Sequence, residues 1–311
     1  MAKHLISYIF PIYNESGNID LLYKTINGLL AQQPKYDYEI LFINDGSRDE
    51  SLAKLTALQK KDKRITIIDF SRNFGHQLAV TAGLDHAKGD AVIIMDSDMQ
   101  DPPKVSFELI SKWEEGYDVV YAQRRSRKDT FFKKFTADMF YRTLQKLAEI
   151  DIPRNTGDFR LLDRKVVDEL SKFREHNRFL RGMVSFVGFK QTAVLFDRDE
   201  RHAGETGYPL KKMLRFAADG IFSFSTAPLK LISNMGFAVA SVAFIGIIYA
   251  LIVKIFYPSI TVEGWTFIVI SILFVGGVQL IMLGVLGSYI GRIYTEAQAR
   301  PLYMIDKVYK S

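Results

Sequence analysis

The sequence predicts an α/β protein with a mostly parallel sheet, followed by a pair of long apolar helices. In the first part of the chain, short runs rich in Ile, Val and Phe alternate with segments of helical periodicity. Near the C-terminus, residues 231–253 and 265–290 contain no charged residue. Strands that alternate with helices form right-handed crossovers, which make neighbouring strands parallel and cover both faces of the sheet.

Five strands and four helices alternate over residues 5–122. We predict the strands at 5–10, 38–43, 65–70, 91–95 and 119–122. We predict the helices at 19–30, 50–60, 76–87 and 104–115, with a further helical pattern at 163–170. In open sheets of this kind, ligands bind beyond the carboxyl ends of the strands. The polar segments that follow three of these strands, 11–15, 44–47 and 96–98, are therefore the candidate site.

The composition excludes some kinds of chemistry. The chain has 311 residues, no Cys and a net charge of +6. Without Cys there is no disulfide, no thiolate catalysis and no Cys-based metal site. The basic charge fits phosphorylated substrates or anionic lipids, and its position beside membrane-like segments argues against nucleic acid. Residues 1–15 lack the long apolar core of a signal peptide, so we expect the bulk of the chain to remain in the cytoplasm.

The two apolar stretches are long enough to cross a membrane, which takes ~20 apolar residues per helix. We predict transmembrane helices at about 231–254 and 265–291. Basic residues flank them (Lys230, Lys254 and Arg292), whereas the connector 255–264 carries only Glu263. The positive-inside rule then places both flanks in the cytoplasm. The alternative is a buried hairpin in the core of the protein. Gly287 and Gly291 are four residues apart, a spacing that lets helices pack closely, so a homo-oligomer is possible.

Between the sheet and these helices, basic and aromatic residues occur together. Residues 123–134 contain six basic residues, and aromatic residues follow at helical spacing. We predict amphipathic helices near 130–148 and 208–226 that lie on the membrane surface. The alternative is a helix that faces the core with a solvated basic side. The domain prediction is a catalytic domain over 1–228, then a transmembrane hairpin and cytoplasmic tail over 229–311.

A pair of acids follows the fourth predicted strand. Asp96 and Asp98 are two residues apart, so on extended backbone both side chains face the same way. Two carboxylates suit Mg²⁺ or Mn²⁺, which prefer oxygen ligands and complete their shell with phosphate and water. The alternative is that both acids merely shape the turn before the helix at 104. The sequence therefore predicts a metal and diphosphate site at this strand end.

Five motifs in order resemble those of the family 2 glycosyltransferases, which have the GT-A fold, a Rossmann-like and mostly parallel sheet. They are Phe-Pro-Ile-Tyr-Asn-Glu at 10–15, Asn-Asp-Gly-Ser at 44–47, Ser-Arg-Asn-Phe-Gly at 71–75, Asp-Ser-Asp-Met-Gln-Asp-Pro-Pro at 96–103 and Gly-Asp-Phe-Arg-Leu at 157–161. Within that family the chain resembles the polyprenyl-phosphate glycosyltransferases, which include dolichyl-phosphate mannose synthases and bactoprenol glucosyltransferases. The two apolar stretches resemble the latter subgroup.

The resemblance implies roles for individual residues. The nucleoside would be held by Pro11, Tyr13, Glu15 and Asp45. Metal and diphosphate would be bound by Asp96, Asp98 and Gln100. Without the family, residues 11–15 would be an ordinary turn with Asn14 or Ser16 as a helix cap.

The same resemblance makes Asp158 the catalytic Asp, with Arg160 beside it to pair with a phosphate or with Asp158. Asp158 is either a general base or a group that organises the acceptor, and its alternative role is a helix cap. Arginine bonds phosphate bidentately. The candidates for the acceptor phosphate are Arg124, Arg127, Lys134 and Arg201.

The implied activity is an inverting transfer of glucose from UDP-glucose to undecaprenyl phosphate, with Mg²⁺ or Mn²⁺, by a multi-pass protein of the inner (cytoplasmic) membrane. The alternatives are a processive polysaccharide synthase of the same fold and an inactive membrane tether that senses nucleotide sugar. The synthases usually carry Gln-x-x-Arg-Trp, but here neither Trp113 nor Trp265 follows an Arg. The presence of Asp96, Asp98 and Asp158 argues against the tether.

Overall fold

The computed structural model describes residues 3–125, 153, 156–197, 227–256 and 264–310. The strands in these residues are β1 (Leu5–Ile12), β2 (Asp37–Asn44), β3 (Ile65–Phe70), β4 (Ala91–Ile94), β5 (Val119–Arg124), β6 (Thr156–Asp163), β7 (Gln191–Phe196) and β8 (Ile305–Tyr309). The helices are α1 (Ile19–Leu30), α2 (Ser51–Gln59), α3 (His76–His86), α4 (Val105–Glu114), α5 (Arg164–Ser171), α6 (Leu180–Phe186), α7 (Ala227–Phe256) and α8 (Trp265–Ala297).

All described strands belong to one mixed sheet in the order β7-β5-β6-β4-β1-β2-β3-β8. Strands β1 to β4 are mutually parallel, because a helix crosses over between each successive pair. β6 runs antiparallel between β4 and β5, and β8 runs antiparallel along β3. The five predicted strands and five predicted helical segments are confirmed within two residues at each end. β6, β7 and β8 were not predicted.

The core lies on both faces of the central strands. All four residues of β4 are buried, as expected for a strand covered on both sides. In α1 the buried positions are spaced by three or four residues, so one face of the helix packs on the sheet. The rings of Phe10 and Phe42 stack at 5.4 Å on neighbouring strands. The sheet is therefore a rigid base for the loops at its carboxyl edge.

Contacts divide the described chain into two compact units, which we describe separately. The first contains the sheet and takes its residues from 3–197 and again from 301–310. The second contains α7 and α8. The last residues therefore return to the sheet as β8, whereas the predicted boundary near residue 228 stays a prediction.

The second unit consists of two long helices with many exposed apolar side chains. Among the described residues, Phe274–Ala297 in α8 is long and apolar enough to cross a membrane. The apolar stretch in α7, Leu231–Gly246, is shorter. The two-span hairpin therefore stays a prediction. The predicted surface helices near 130–148 and 208–226 lie outside the described residues.

Candidate active site

The candidate site lies at the carboxyl edge of β1, β2 and β4, where the sequence predicted it. β6 brings Asp158 to the same edge because it pairs antiparallel with β4, with Ile94 opposite Arg160. Continuing that register by two residues places Asp96 opposite Asp158. The predicted metal site and the predicted catalytic Asp158, more than sixty residues apart in sequence, are therefore neighbours.

The Asp96–Asp98 segment is held against the end of β1. Ser97 Oγ donates to the carbonyl of Pro11 at 3.2 Å, and Asp98 Oδ1 accepts from the backbone N–H of Gln100 at 3.1 Å. Asp98 thus shapes the turn, as the alternative reading expected. The Asp96 side chain is one-third exposed at 33%. It can reach a ligand above the sheet edge.

Several carboxylates lie close together at this edge of the sheet, and their negative charge favours the binding of a cation. Burial raises the pKa of Asp96, and the neighbouring carboxylates of Asp158 and Asp98 raise it further, while His76 opposes them. In the described residues no group of three or more His, Asp and Glu forms a closed metal site. Two carboxylates nevertheless fit Mg²⁺ or Mn²⁺, because these ions usually keep water and phosphate oxygens as their other ligands. The residues present therefore fit such an ion.

Asp158 is buried and held on both carboxylate oxygens. Arg181 Nε donates to Oδ1 at 2.8 Å, and His76 Nε2 lies 3.0 Å from Oδ2. Gln77 Nε2 is 3.5 Å from the same Oδ2, and its Oε1 accepts from the backbone N–H of Leu180 at 3.0 Å. Three elements, α3, β6 and α6, therefore meet at this carboxylate. The cap of α5 is Asp163, whose side chain accepts from Lys165 N, so the reading of Asp158 as a cap is wrong.

The charges around Asp158 determine its protonation. Burial alone would raise its pKa, but Arg181, the hydrogen bond from His76 and the charge of Arg160 lower the pKa well below its ordinary value. His76 responds in the opposite sense: against the cost of desolvation, Asp158 and Asp96 raise its pKa to about 9. His76 Nε2 also lies 3.7 Å from Asp96 Oδ1. At neutral pH the site therefore holds an ionised Asp158 between two cations.

The two described arginines among the predicted site residues already contact protein groups. Arg160 is buried, its Nη2 donates to the carbonyl of Gly157 at 2.9 Å, and burial lowers its pKa to about 10. Arg124 Nη2 lies 3.7 Å from Asp101 Oδ1, within the Asp96–Pro103 motif. Their binding to phosphate stays a prediction. Arg127, Lys134 and Arg201 lie outside the described residues.

Asp45 anchors the loop that leads into α3. Its Oδ1 accepts from Phe74 N at 2.6 Å, and its Oδ2 accepts from Gly75 N at 2.9 Å and from Asn73 Nδ2 at 3.0 Å. Burial raises the pKa of Asp45, and the two backbone donors oppose this shift. The adjacent Gly46 has φ of +65°, and a Cβ there would lie 2.5 Å from the backbone of Arg72. The motifs at 44–47 and 71–75 are therefore packed together.

The loop after β1 is bound to the loop after β2. Asn14 has φ of +55°, its N–H donates to Ser47 Oγ at 3.0 Å, and its Oδ1 accepts from Arg48 N at 2.8 Å. Glu15 N donates to Ser51 Oγ at 3.0 Å. Tyr13 is 47% exposed, so its ring is free of the core. Pro11, Tyr13, Glu15 and Asp45 thus share one corner of the edge, and their contacts with a nucleoside stay predictions.

The structure also tests the alternative in which Asn14 or Ser16 caps the helix after residues 11–15. Helix α1 begins after Asn18, which makes no side-chain cap hydrogen bond. Asn14 and Ser16 are therefore not helix caps, and that part of the alternative is wrong.

Sequence reasoning missed Arg181 and gave His76 no defined role. Arg181 lies 23 positions after Asp158, in the unpredicted helix α6, and no motif marks it. His76 had a weak signal, because it opens a predicted helix directly after the motif at 71–75. The Gln77 contacts with Asp158 and Leu180 had no signal in the sequence.

Known proteins with similar sequences are glycosyltransferases by name. The family model described as "Glycosyl transferase family 2" matches residues 7–171. An uncharacterized glycosyltransferase, YkcC of Bacillus subtilis, is 52% identical and covers 99% of this chain and 96% of its own. The prophage bactoprenol glucosyl transferase homolog of Escherichia coli K12 is 43% identical, over 98% of this chain and 99% of its own. The bactoprenol glucosyl transferase of Shigella phage SfII is 42% identical, over 98% of both chains.

Proposed function

The chain belongs to glycosyl transferase family 2, and on that basis we propose that it moves glucose from UDP-glucose to a polyprenyl phosphate such as undecaprenyl phosphate. As a member of that family it is an enzyme, a hexosyltransferase. Two relatives whose names contain bactoprenol glucosyl transferase align over nearly their whole length, which supports glucose and the lipid acceptor. The observation that carries the proposal is the meeting of Asp96, Asp98 and Asp158 at one sheet edge.

The proposed donor lies along that edge. The nucleoside would occupy the corner formed by Pro11, Tyr13, Glu15 and Asp45, and the diphosphate would lie near Asp96, Asp98 and Gln100. Asp96 and Asp98 would hold Mg²⁺ or Mn²⁺. When bound, the ion would supply positive charge to the diphosphate, whose negative charge grows as it leaves.

The proposed acceptor needs little help to lose a proton. The second pKa of a phosphomonoester is about 6, so at neutral pH its oxygen is largely ionised. Asp158 is also a poor proton acceptor, because its cationic neighbours lower its pKa well below the ordinary value. We therefore assign Asp158 the role of an organiser, whose fixed negative charge faces the sugar carbon as that carbon becomes positive. Attack on the side opposite the diphosphate would invert the anomeric centre.

A membrane setting follows from the acceptor and from the apolar helices. Polyprenyl phosphate keeps its chain in the bilayer and its phosphate at the surface. Helices α7 and α8 would form the predicted two-span hairpin, with the sheet on the cytoplasmic side, where the nucleotide sugar is made. An enzyme held at the level of the lipid head groups stays close to its acceptor, which lowers the entropic cost of bringing the two together.

The experiment that tests the proposal is a donor panel. Full-length protein in vesicles containing undecaprenyl phosphate is given UDP-glucose, UDP-galactose, UDP-N-acetylglucosamine and GDP-mannose, and the lipids are analysed by mass spectrometry. We expect one hexose per lipid, from UDP-glucose. Chains of several sugars would favour the polysaccharide synthase, and no product from any donor would favour the inactive tether.

A further inference from the structure

The segment at residues 301–310 lies against the loop and the helix that carry His76. Along this segment, β8 pairs with β3 from Ile67 opposite Tyr309 to Phe70 opposite Ile305. The pairing continues past the strand, because Ser71 N donates to the carbonyl of Met304 at 3.1 Å. The tail therefore reaches the first residue of the motif at 71–75.

Tyr303 in this segment contacts the end of β3, which comes before the loop to His76, and the far end of α3, which begins with His76. Its ring stacks on Phe70 with centroids 5.1 Å apart and an interplanar angle of 17°. Its hydroxyl donates to Asp85 Oδ2 at 2.8 Å, and Asp85 lies in the last turn of α3. Arg174 Nη1 donates to the same oxygen at 2.8 Å. One side chain thus joins the end of β3 to the end of α3.

The contacts continue from Phe70 to the site. The ring of Phe70 meets the ring of Phe74 edge-on at 5.6 Å, and Phe74 N is held by Asp45. Gly75, with φ of +103°, then turns the chain into α3. The first residue of α3 is His76, whose ring contacts Asp158. A shift of Phe70 or of the far end of α3 would therefore displace His76.

We propose that residues 301–310 form a C-terminal latch, in which Tyr303 is a positioning residue that keeps α3 and His76 in place against Asp158. The effect of the latch on turnover rests on the proposed glycosyl transfer. Asp306, Lys307 and Val308 on β8 are exposed, whereas Tyr309 packs against the core of the sheet, so the segment is attached at Tyr303 and at Tyr309.

The latch also has a consequence for biosynthesis. Only residues 298–302 separate α8 from Tyr303. Domains generally fold from the N-terminus during synthesis. The site of this enzyme would be complete only after both apolar helices have been made.

The test uses the full chain in lipid nanodiscs and three variants. Tyr303→Ala removes the stack and the hydrogen bond, Tyr303→Phe removes only the hydrogen bond, and Val308→Thr is a matched change on the exposed side of β8. Amide hydrogen exchange is measured for residues 71–86, with α1 and α4 as internal references. Initial rates give kcat and the KM for UDP-glucose.

We expect Tyr303→Ala to speed exchange in residues 71–86 by about tenfold and to lower kcat by a similar factor, since it loses an aromatic pair and a hydrogen bond to a carboxylate. Exchange in α1 and α4 and the donor KM should stay within twofold. Tyr303→Phe should show about a threefold effect, because the stack remains. Val308→Thr should behave as the wild type.

Unchanged exchange in 71–86, or exchange that rises equally in α1 and α4, would overturn the latch. If Tyr303→Ala does not fold, Tyr303→Phe decides by the same two measures. A wild type that transfers no sugar would contradict the proposed function, while the exchange data would still test the latch. If the wild type transfers glucose and Tyr303→Ala has the same rates and the same exchange as the wild type, the latch is contradicted and the proposed function is not.

Discussion

Arg181 Nε donates a 2.8 Å hydrogen bond to Oδ1 of Asp158, while His76 Nε2 lies 3.0 Å from the other oxygen of the same carboxylate. A carboxylate held by two cations stays ionised and has little freedom to turn. This geometry suits a fixed negative charge better than a group that must take up a proton and release it.

Arg181 is expected to contribute to turnover through Asp158. Arg181→Gln loses a charge-assisted hydrogen bond worth ~1.5–3 kcal/mol, so kcat should fall by about ten- to a hundredfold. Arg181→Lys keeps the charge and should recover part of the loss. Initial rates with UDP-glucose and polyprenyl phosphate give the result, with the exposed Lys172→Met as the control. Equal rates for Arg181→Gln and wild type would show that this ion pair is unimportant for turnover.

The pH profile separates the two roles of Asp158. Its pKa is lowered well below the ordinary value, so it remains ionised from pH 5 to 9 and produces no acid limb in that range. The acceptor phosphate should produce a limb near pH ~6. Asp158→Asn should keep measurable turnover with that limb in place. We would measure kcat/KM for polyprenyl phosphate between pH 5 and 9. Loss of the limb in Asp158→Asn, or activity recovered only at high pH, would identify Asp158 as the base.

Metal dependence should follow the two acids after β4. Asp96→Ala or Asp98→Ala removes an oxygen ligand, and we expect kcat to fall on the order of a thousandfold. EDTA should stop the wild type, and Mg²⁺ or Mn²⁺ should restore it. The exposed Asp20→Ala on α1 is the control and should keep full activity. Full turnover of the wild type in EDTA would exclude the metal.

Asp45 is expected to stabilise the protein even without a donor. Asp45→Asn replaces one acceptor oxygen by an NH₂ group that faces backbone donors at residues 74 and 75, which should lower the free energy of unfolding by ~1–3 kcal/mol. Thermal unfolding without nucleotide measures this, and Asp37→Asn at the exposed start of β2 is the control. If Asp45 served only to bind the nucleoside, the stability of the ligand-free variant would not change.

The predicted topology can be tested by labelling. Lys230 and Arg292 flank the apolar stretches, and the connector 255–264 has no Lys or Arg, so the connector should lie outside. The chain has no Cys, which allows single reporters. Ser259→Cys should react with an impermeant thiol reagent in intact cells, and Ser311→Cys should react only after lysis. The opposite pattern would place the sheet away from its donor.

The sequence alone determined the elements of the first half of the fold. Strand and helix patterns are local, because a strand shows its buried faces every second residue and a helix every third or fourth. The positions of Asp45, Asp96 and Asp98 at the carboxyl edge followed from those patterns and from the parallel crossovers. The motif resemblance supplied Asp158, but its strand was missed, since the segment before it is basic and aromatic rather than strand-like.

Only the tertiary structure decided what surrounds Asp158 and where the chain ends. The antiparallel insertion of β6 beside β4 places Asp158 opposite Asp96, and α6 then brings Arg181 to it. The return of residues 301–310 to β3 places Tyr303 on Phe70 and Asp85. These contacts join residues between 23 and more than 200 positions apart. Their free energy depends on which strand edges and helix faces meet, and local sequence periodicity carries no information about that choice.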